Sequence, residues 1–196
     1  VIFHADDVGM CHGSNQAYLD LTRTGLLQAG SVMVPCSWAP EILDYGRTHP
    51  EVDLGVHLTL TCEWPHYRWG PISTRDRASG LMDADGCFWR ETGLAAANMD
   101  VDAAIREMRA QIERALAAGL DVTHLDTHMG AAAVPGLVMA YIALGFEYQV
   151  PVMMPRRFDS YMQRMNPVSY THLTLPTIYD LYISLVALSL HQIIHF

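Results

Sequence analysis

Two adjacent carboxylates, Asp6 and Asp7, close a short apolar run, Val1-Ile2-Phe3-His4-Ala5, and are followed by Val8-Gly9. Side by side the two acids repel, so the pair is costly unless a cation is bound or one acid holds a proton. Two later stretches carry matching chemistry. His57 lies in Leu54-Gly55-Val56-His57-Leu58-Thr59-Leu60-Thr61, and Asp126 and His128 lie in Thr123-His124-Leu125-Asp126-Thr127-His128. One carboxylate and two imidazoles with open positions make the donor set of a catalytic metal rather than a closed structural one. Such an ion lowers the pKa of a water towards ~7 and polarises a carbonyl, and the second acid of the pair is left to serve as general base. Taken singly, each piece has a plainer reading: an Asx-type turn for Asp6-Asp7, a hydrogen-bonded core histidine for His57.

These residues need elements that bring them to one place. Apolar runs bounded by turn signals at 1–8, 30–35, 52–61, 120–128 and 148–154 read as buried strands of a parallel sheet. Helical spacing falls between them. A helix is expected over 15–24, capped by Ser14 and ended by Gly25, and a second over 38–47 with Ile42 and Leu43 facing in. A third should run from the cap Asp100 to Ala118 with Val101, Ile105, Met108, Ile112 and Leu116 on one stripe. A fourth is expected over 134–144, ending near Gly145. Alternating strands and helices point to parallel α/β architecture. In that architecture the carboxyl ends of the strands share one rim, where the chemistry sits. On the 52–61 strand, Gly55, His57, Thr59 and Thr61 share the face opposite Leu54, Val56, Leu58 and Leu60.

Residues 63–90 break the rhythm with Trp64, Tyr67, Arg68, Trp69 and Trp89 among prolines and glycines, and with a turn or short hairpin over 83–88. Long loops in compact domains are usually functional. Trp64, Tyr67, Arg68 and Trp69 are therefore candidates to stack on and hydrogen-bond a sugar ring, the alternative being a small hydrophobic cluster under the loop.

The formal charge of −9 argues against a phosphate-backbone binder, which needs basic patches. Cys11, Cys36, Cys62 and Cys87 stand singly with no C-x-x-C, which argues against zinc ribbons and a disulfide framework. From about Val168 the character changes: 168–196 has no Arg, no Gly and one acid. Its opening resembles the translation of a transposon-end sequencing adapter. The expected division is thus a partial catalytic domain over 1–167 and a non-native tail over 168–196, the natural chain continuing past Pro167 and a residue or a few lost at the amino end. The tail's apolar run, 181–190, falls short of the ~20 residues a membrane span needs. His172, His191 and His195 receive no ligand role. A cytoplasmic, bacterial location is expected, with the oligomeric state open.

Three motifs, Ala5-Asp6-Asp7-Val8-Gly9-Met10 with Asn15, Gly55-Val56-His57-Leu58-Thr59-Leu60-Thr61, and Thr123-His124-Leu125-Asp126-Thr127-His128, resemble in matching order those of the YdjC-like carbohydrate deacetylases, relatives of the NodB-type polysaccharide deacetylases. The resemblance implies a distorted or incomplete (β/α) barrel truncated at its carboxyl-terminal part. It implies Asp7, His57 and His128 as ligands of one divalent ion, Mg2+ or Zn2+, and Asp6 as catalytic base. The reaction would remove an N-acetyl group from an amino sugar and release acetate. Asp126, two residues before His128, is a candidate to orient a ligand from behind it, the alternative being a plain buried hydrogen-bond role. Two departures stand out. Met129-Gly130 follow His128 where many members have further histidines, and the family's late acidic-His region, which would supply the leaving-group acid, has no counterpart before Pro167. The rival readings are a metal-dependent phosphoesterase, which would usually need a second ion, and a sugar-binding domain without catalysis.

Overall fold

The computed structural model describes residues 2–154. The expected tail over 168–196 lies outside the described residues. Four strands form one all-parallel sheet in the order β1-β2-β3-β4: β1 His4–Val8, β2 Ala29–Val32, β3 Leu54–Leu58 and β4 Leu125–Thr127. Helix α1 (His12–Arg23) links the first pair and α2 (Ala39–Thr48) the second. A long connection carrying α3 (Thr92–Asn98) and α4 (Val101–Ala117) reaches β4, and α5 (Val138–Tyr148) follows. Parallel strands whose spatial order equals their sequence order, joined through helices, form an arc of a (β/α) barrel; a doubly wound sheet would reverse its order midway. No helix among the described residues is long and apolar enough to cross a membrane.

The expected fifth strand is reduced to one bridge, Leu125 with Val152, fixed by Leu125 N–H on the Pro151 carbonyl (2.9 Å) and Met153 N–H on the Leu125 carbonyl (2.8 Å). The reason lies in α5, which starts and ends later than the sequence pattern predicts. Gly145 does not stop it: a Cβ there would lie 2.5 Å from Val152 Cγ1, so Gly145 serves close approach of helix and bridge. Gln149, left-handed at φ 57°, ends the helix instead. At α1 the cap is Cys11 rather than Ser14, which occupies the third helical position and returns its hydroxyl to the Cys11 N–H (3.2 Å), a capping box.

The stripe on α4 is also rotated from expectation. Met108 and Ile112 are buried, but Val101 and Leu116 are 45% and 42% exposed, and Glu107 and Gln111 face inward instead. Both are satisfied. Gln111 receives the Thr59 N–H (2.9 Å) and donates to the Thr59 carbonyl (2.8 Å) and to Glu107. Glu107 accepts the N–H groups of Ile72 (3.1 Å) and Ser73 (2.8 Å). Buried polar groups are tolerated only when paired. Here they clamp both ends of the segment that leaves β3 and passes over the rim. The expected 83–88 hairpin is present as an antiparallel bridge, Met82 with Phe88.

Candidate active site

The strand end of β1 is irregular where the chemistry is. Its register against β2 slips between Ala5 and Val8, a bulge that holds Asp6 and Asp7, and Asp7 sits at φ 60°. Aspartate enters the left-handed region more readily than most residues, but such a conformation persists only where its surroundings enforce it. They do so here. The Gly9 N–H donates to Asn15 Oδ1 (2.7 Å), and Asn15, fully buried, donates onward to the Trp38 carbonyl (3.1 Å) and Glu41 Oε2 (2.6 Å). The turn after the aspartates is thereby tied to both flanking helices.

Asp7 Oδ1 is the point of convergence. His57 Nε2 lies 3.2 Å from it and His128 Nδ1 3.0 Å. One ligand atom from each of Asp7, His57 and His128 lies within 4.8 Å of the others, and both imidazoles are buried. Each ring has a carboxylate on its far nitrogen. Asp126 Oδ1 takes His57 Nδ1 (2.7 Å), with Ser31 Oγ donating to Asp126 Oδ2 (2.8 Å). Glu63 Oε2 takes His128 Nε2 (2.9 Å). A carboxylate behind a histidine fixes ring and tautomer and raises the basicity of the near nitrogen. His57 and Asp126 face each other as register partners on β3 and β4. His128 opens a 3-10 segment, His128–Ala133, whose next two residues, Met129 and Gly130, are both left-handed (φ 50° and 70°) and turn the chain sharply after the ring. The departure Met129-Gly130 is therefore the turn that follows the histidine.

Both aspartates are held below the usual carboxylate range. The hydrogen bond from His4 holds Asp6 below the usual carboxylate range. Burial would raise Asp7, but hydrogen bonds from His128 and His57 hold it far below that range. Burial would likewise lower His57, yet its bonds to Asp126 and Asp7 outweigh that and lift it to about 9. A folded-state value above the unfolded ~6.5 stabilises the fold fully below ~6.5, and that stabilisation is lost as pH rises through the folded value. The ion-free chain is expected to lose stability progressively up to about pH 9. The urea midpoint measured from pH 6 to 10 checks this, and a flat profile contradicts it.

The four loop residues are placed unevenly. Trp69 is 5% exposed, with its indole N–H on the Thr61 carbonyl (2.8 Å) and its ring edge-on to His128 at 6.1 Å between centroids. It is a wall of the site rather than an open stacking platform. Arg68 is spent inside the loop, donating to Asp83 Oδ2 (2.6 Å), the Phe88 carbonyl (2.8 Å) and Cys62 Sγ (3.3 Å). Tyr67 is partly exposed and donates its hydroxyl to the Met10 carbonyl, joining the loop to the turn after Asp7. Trp64, 49% exposed, keeps an open face. Glu63 and His4 were not among the expected site residues. Both were findable by the period of two, since Glu63 continues the face of His57, Thr59 and Thr61, and His4 shares that of Asp6.

The sequence profile of the YdjC-like protein family matches residues 1–192. A carbohydrate deacetylase of Thermus thermophilus is 37% identical over 163 residues, covering 81% of this chain and 54% of that protein. One from Brevibacillus brevis is 31% identical over 166 residues, covering 84% and 62%. The chain thus spans between half and two thirds of these curated relatives. A crystal structure from Enterococcus faecalis, provisionally described as a cellobiose-phosphate cleavage protein, matches with a TM-score of 0.71 at 24% identity, covering 85% of this chain and 64% of that one. At that identity the likeness speaks for the fold alone.

Proposed function

This chain belongs to the YdjC-like protein family, and from that premise we propose that it carries the metal-binding half of a carbohydrate deacetylase that removes an N-acetyl group from an amino sugar and releases acetate. The observation that carries the reading is the pair of imidazoles, each backed by a carboxylate, whose near nitrogens meet at Asp7. The donor set, a carboxylate oxygen between two imidazole nitrogens each backed by a carboxylate, fits a divalent cation, Mg2+ or Zn2+. Asp7, His57 and His128 would hold the ion, which when bound supplies Lewis acidity to water and to the acetamide carbonyl. Asp126 and Glu63 keep His57 and His128 turned toward Asp7. Asp6, largely exposed beside Asp7 and held ionised by His4, takes the proton of the attacking water as general base. Trp69 closes one side and excludes water from His128, while Trp64 offers the sugar an apolar ring. The relatives named carbohydrate deacetylase support the substrate class.

Acetate release from mono- and oligosaccharides of N-acetylated amino sugars, with the ion added and with it chelated, tests the reading. Release that needs the ion is expected. Failure of the chain to bind any divalent ion overturns it. One observation favours a second reading: His4, Asp6 and Asp126 also place ligand atoms within 4.8 Å of one another, as a two-ion phosphoesterase would require. Two bound ions and phosphate release from a phosphorylated sugar would establish it, whereas one ion favours deacetylation.

A further inference from the structure

Helix α4 holds one loop of the rim by both of its ends. Glu107 and Gln111 sit one helical turn apart, both fully buried, with Gln111 Nε2 donating to Glu107 Oε1 (2.8 Å). Gln111 pairs with both backbone groups of Thr59 (2.9 and 2.8 Å), and the two Glu107 oxygens take the N–H groups of Ile72 (3.1 Å) and Ser73 (2.8 Å). The span 59–73 thus leaves and returns at neighbouring points on one helix, which is the geometry of an Ω-loop. The residue types match what each position meets. Three N–H donors converge on position 107, which needs two accepting oxygens. Position 111 meets a backbone donor, a backbone acceptor and a Glu107 oxygen, which calls for an amide.

The loop brings two side chains to His128. Glu63 Oε2 lies 2.9 Å from His128 Nε2, and the Trp69 ring stands edge-on to the imidazole with its indole N–H on the Thr61 carbonyl (2.8 Å). The loop does not hold this course by its own preferences. Thr61 is fully buried, yet its hydroxyl has no hydrogen-bond partner among the described residues, a cost that a freely settling segment would avoid. Ties from the Cys62 N–H to the Trp89 carbonyl (2.8 Å) and from the Phe88 N–H to the Trp69 carbonyl (3.0 Å) join it to another part of the same long connection. Glu107 and Gln111, by contrast, stand on a regular helix of 17 residues.

We infer that Glu107 and Gln111 are positioning residues for His128: they fix the ends of the 59–73 loop and so the placement of Glu63 and Trp69 on that imidazole. The inference rests on His128 as a ligand of the proposed ion. Releasing either end restores conformational freedom to the loop, and a ligand whose backing carboxylate wanders holds an ion less well.

Hydrogen exchange in the wild-type chain is the first test. The N–H groups of Thr59, Ile72 and Ser73 and the Trp69 indole N–H should open together as one unit. A Trp69 indole that opens independently of the three amides overturns the inference. Two variants test it further. Glu107→Gln sets an amide nitrogen against a backbone N–H, and Gln111→Glu sets a carboxyl oxygen against the Thr59 carbonyl. Each should weaken Mg2+ or Zn2+ binding towards the roughly 10–100-fold loss that follows removal of a partner behind a ligand. Ile112→Ala, a cavity in the same helix that leaves both clamps in place, should lower Tm without changing ion affinity. Wild-type affinity in both clamp variants, or an equal loss in Ile112→Ala, overturns the positioning role. A wild-type chain that binds no ion overturns the proposed function instead, and the exchange comparison then decides the positioning alone.

Discussion

Replacing Asp7 with asparagine is expected to abolish ion binding and acetate release together. Asp7 Oδ1 is the atom on which His57 Nε2 and His128 Nδ1 both converge, so the change removes the one anionic member of the proposed ligand set. Losing a partner behind a ligand typically costs roughly 10–100-fold in metal affinity, and losing the carboxylate ligand itself should cost more than that. Asparagine is the better probe than alanine because the residue sits at φ 60°, a conformation asparagine tolerates. The bulge is then kept while the charge goes. Isothermal titration with Mg2+ and with Zn2+ measures the affinity, and undiminished binding would remove Asp7 from the ligand set.

The neighbouring change, Asp6→Asn, should behave in the opposite way. Asp6 touches His4 and not the two converging imidazoles, so the ion should bind as before. Turnover should fall by roughly 10²–10⁴, the usual contribution of a general base. Two adjacent residues on one bulge would then separate binding from chemistry. Retained kcat in Asp6→Asn would take the base role away from Asp6. Weakened ion affinity would move Asp6 into the ligand set and favour the two-ion alternative.

The rim residues were readable because strand periodicity says which side chains share a face and parallel order says where strands end. That much brought Asp6-Asp7, His57 and the Asp126/His128 pair to one rim; the choice of Asp7, His57 and His128 as ligands came from the family resemblance. The same rule would have found Glu63, two residues past the expected 52–61 strand, and His4, which lies within the expected 1–8 strand on the face of Asp6. The loop was less legible because aromatic content says nothing of direction: Arg68 and Trp69 proved to be occupied in holding their own segment. On α4, periodicity weighs residues by hydropathy, whereas the buried face includes Glu107 and Gln111, whose partners are backbone groups distant in sequence. No local pattern records such partners. The late shift of α5 has a similar origin, because Gly145 reads as a stop until its contact with Val152 is known.

Strand order equal to sequence order has a consequence for synthesis. As the chain leaves the ribosome, each new strand finds its sheet neighbour already emerged, with no gap to be filled by a later one. Asp7 arrives with β1 and His57 with β3, and His128 follows β4 directly. The three converge as soon as the fourth strand docks, so the proposed ion site would be complete on a nascent chain, and an ion bound there would help hold the arc.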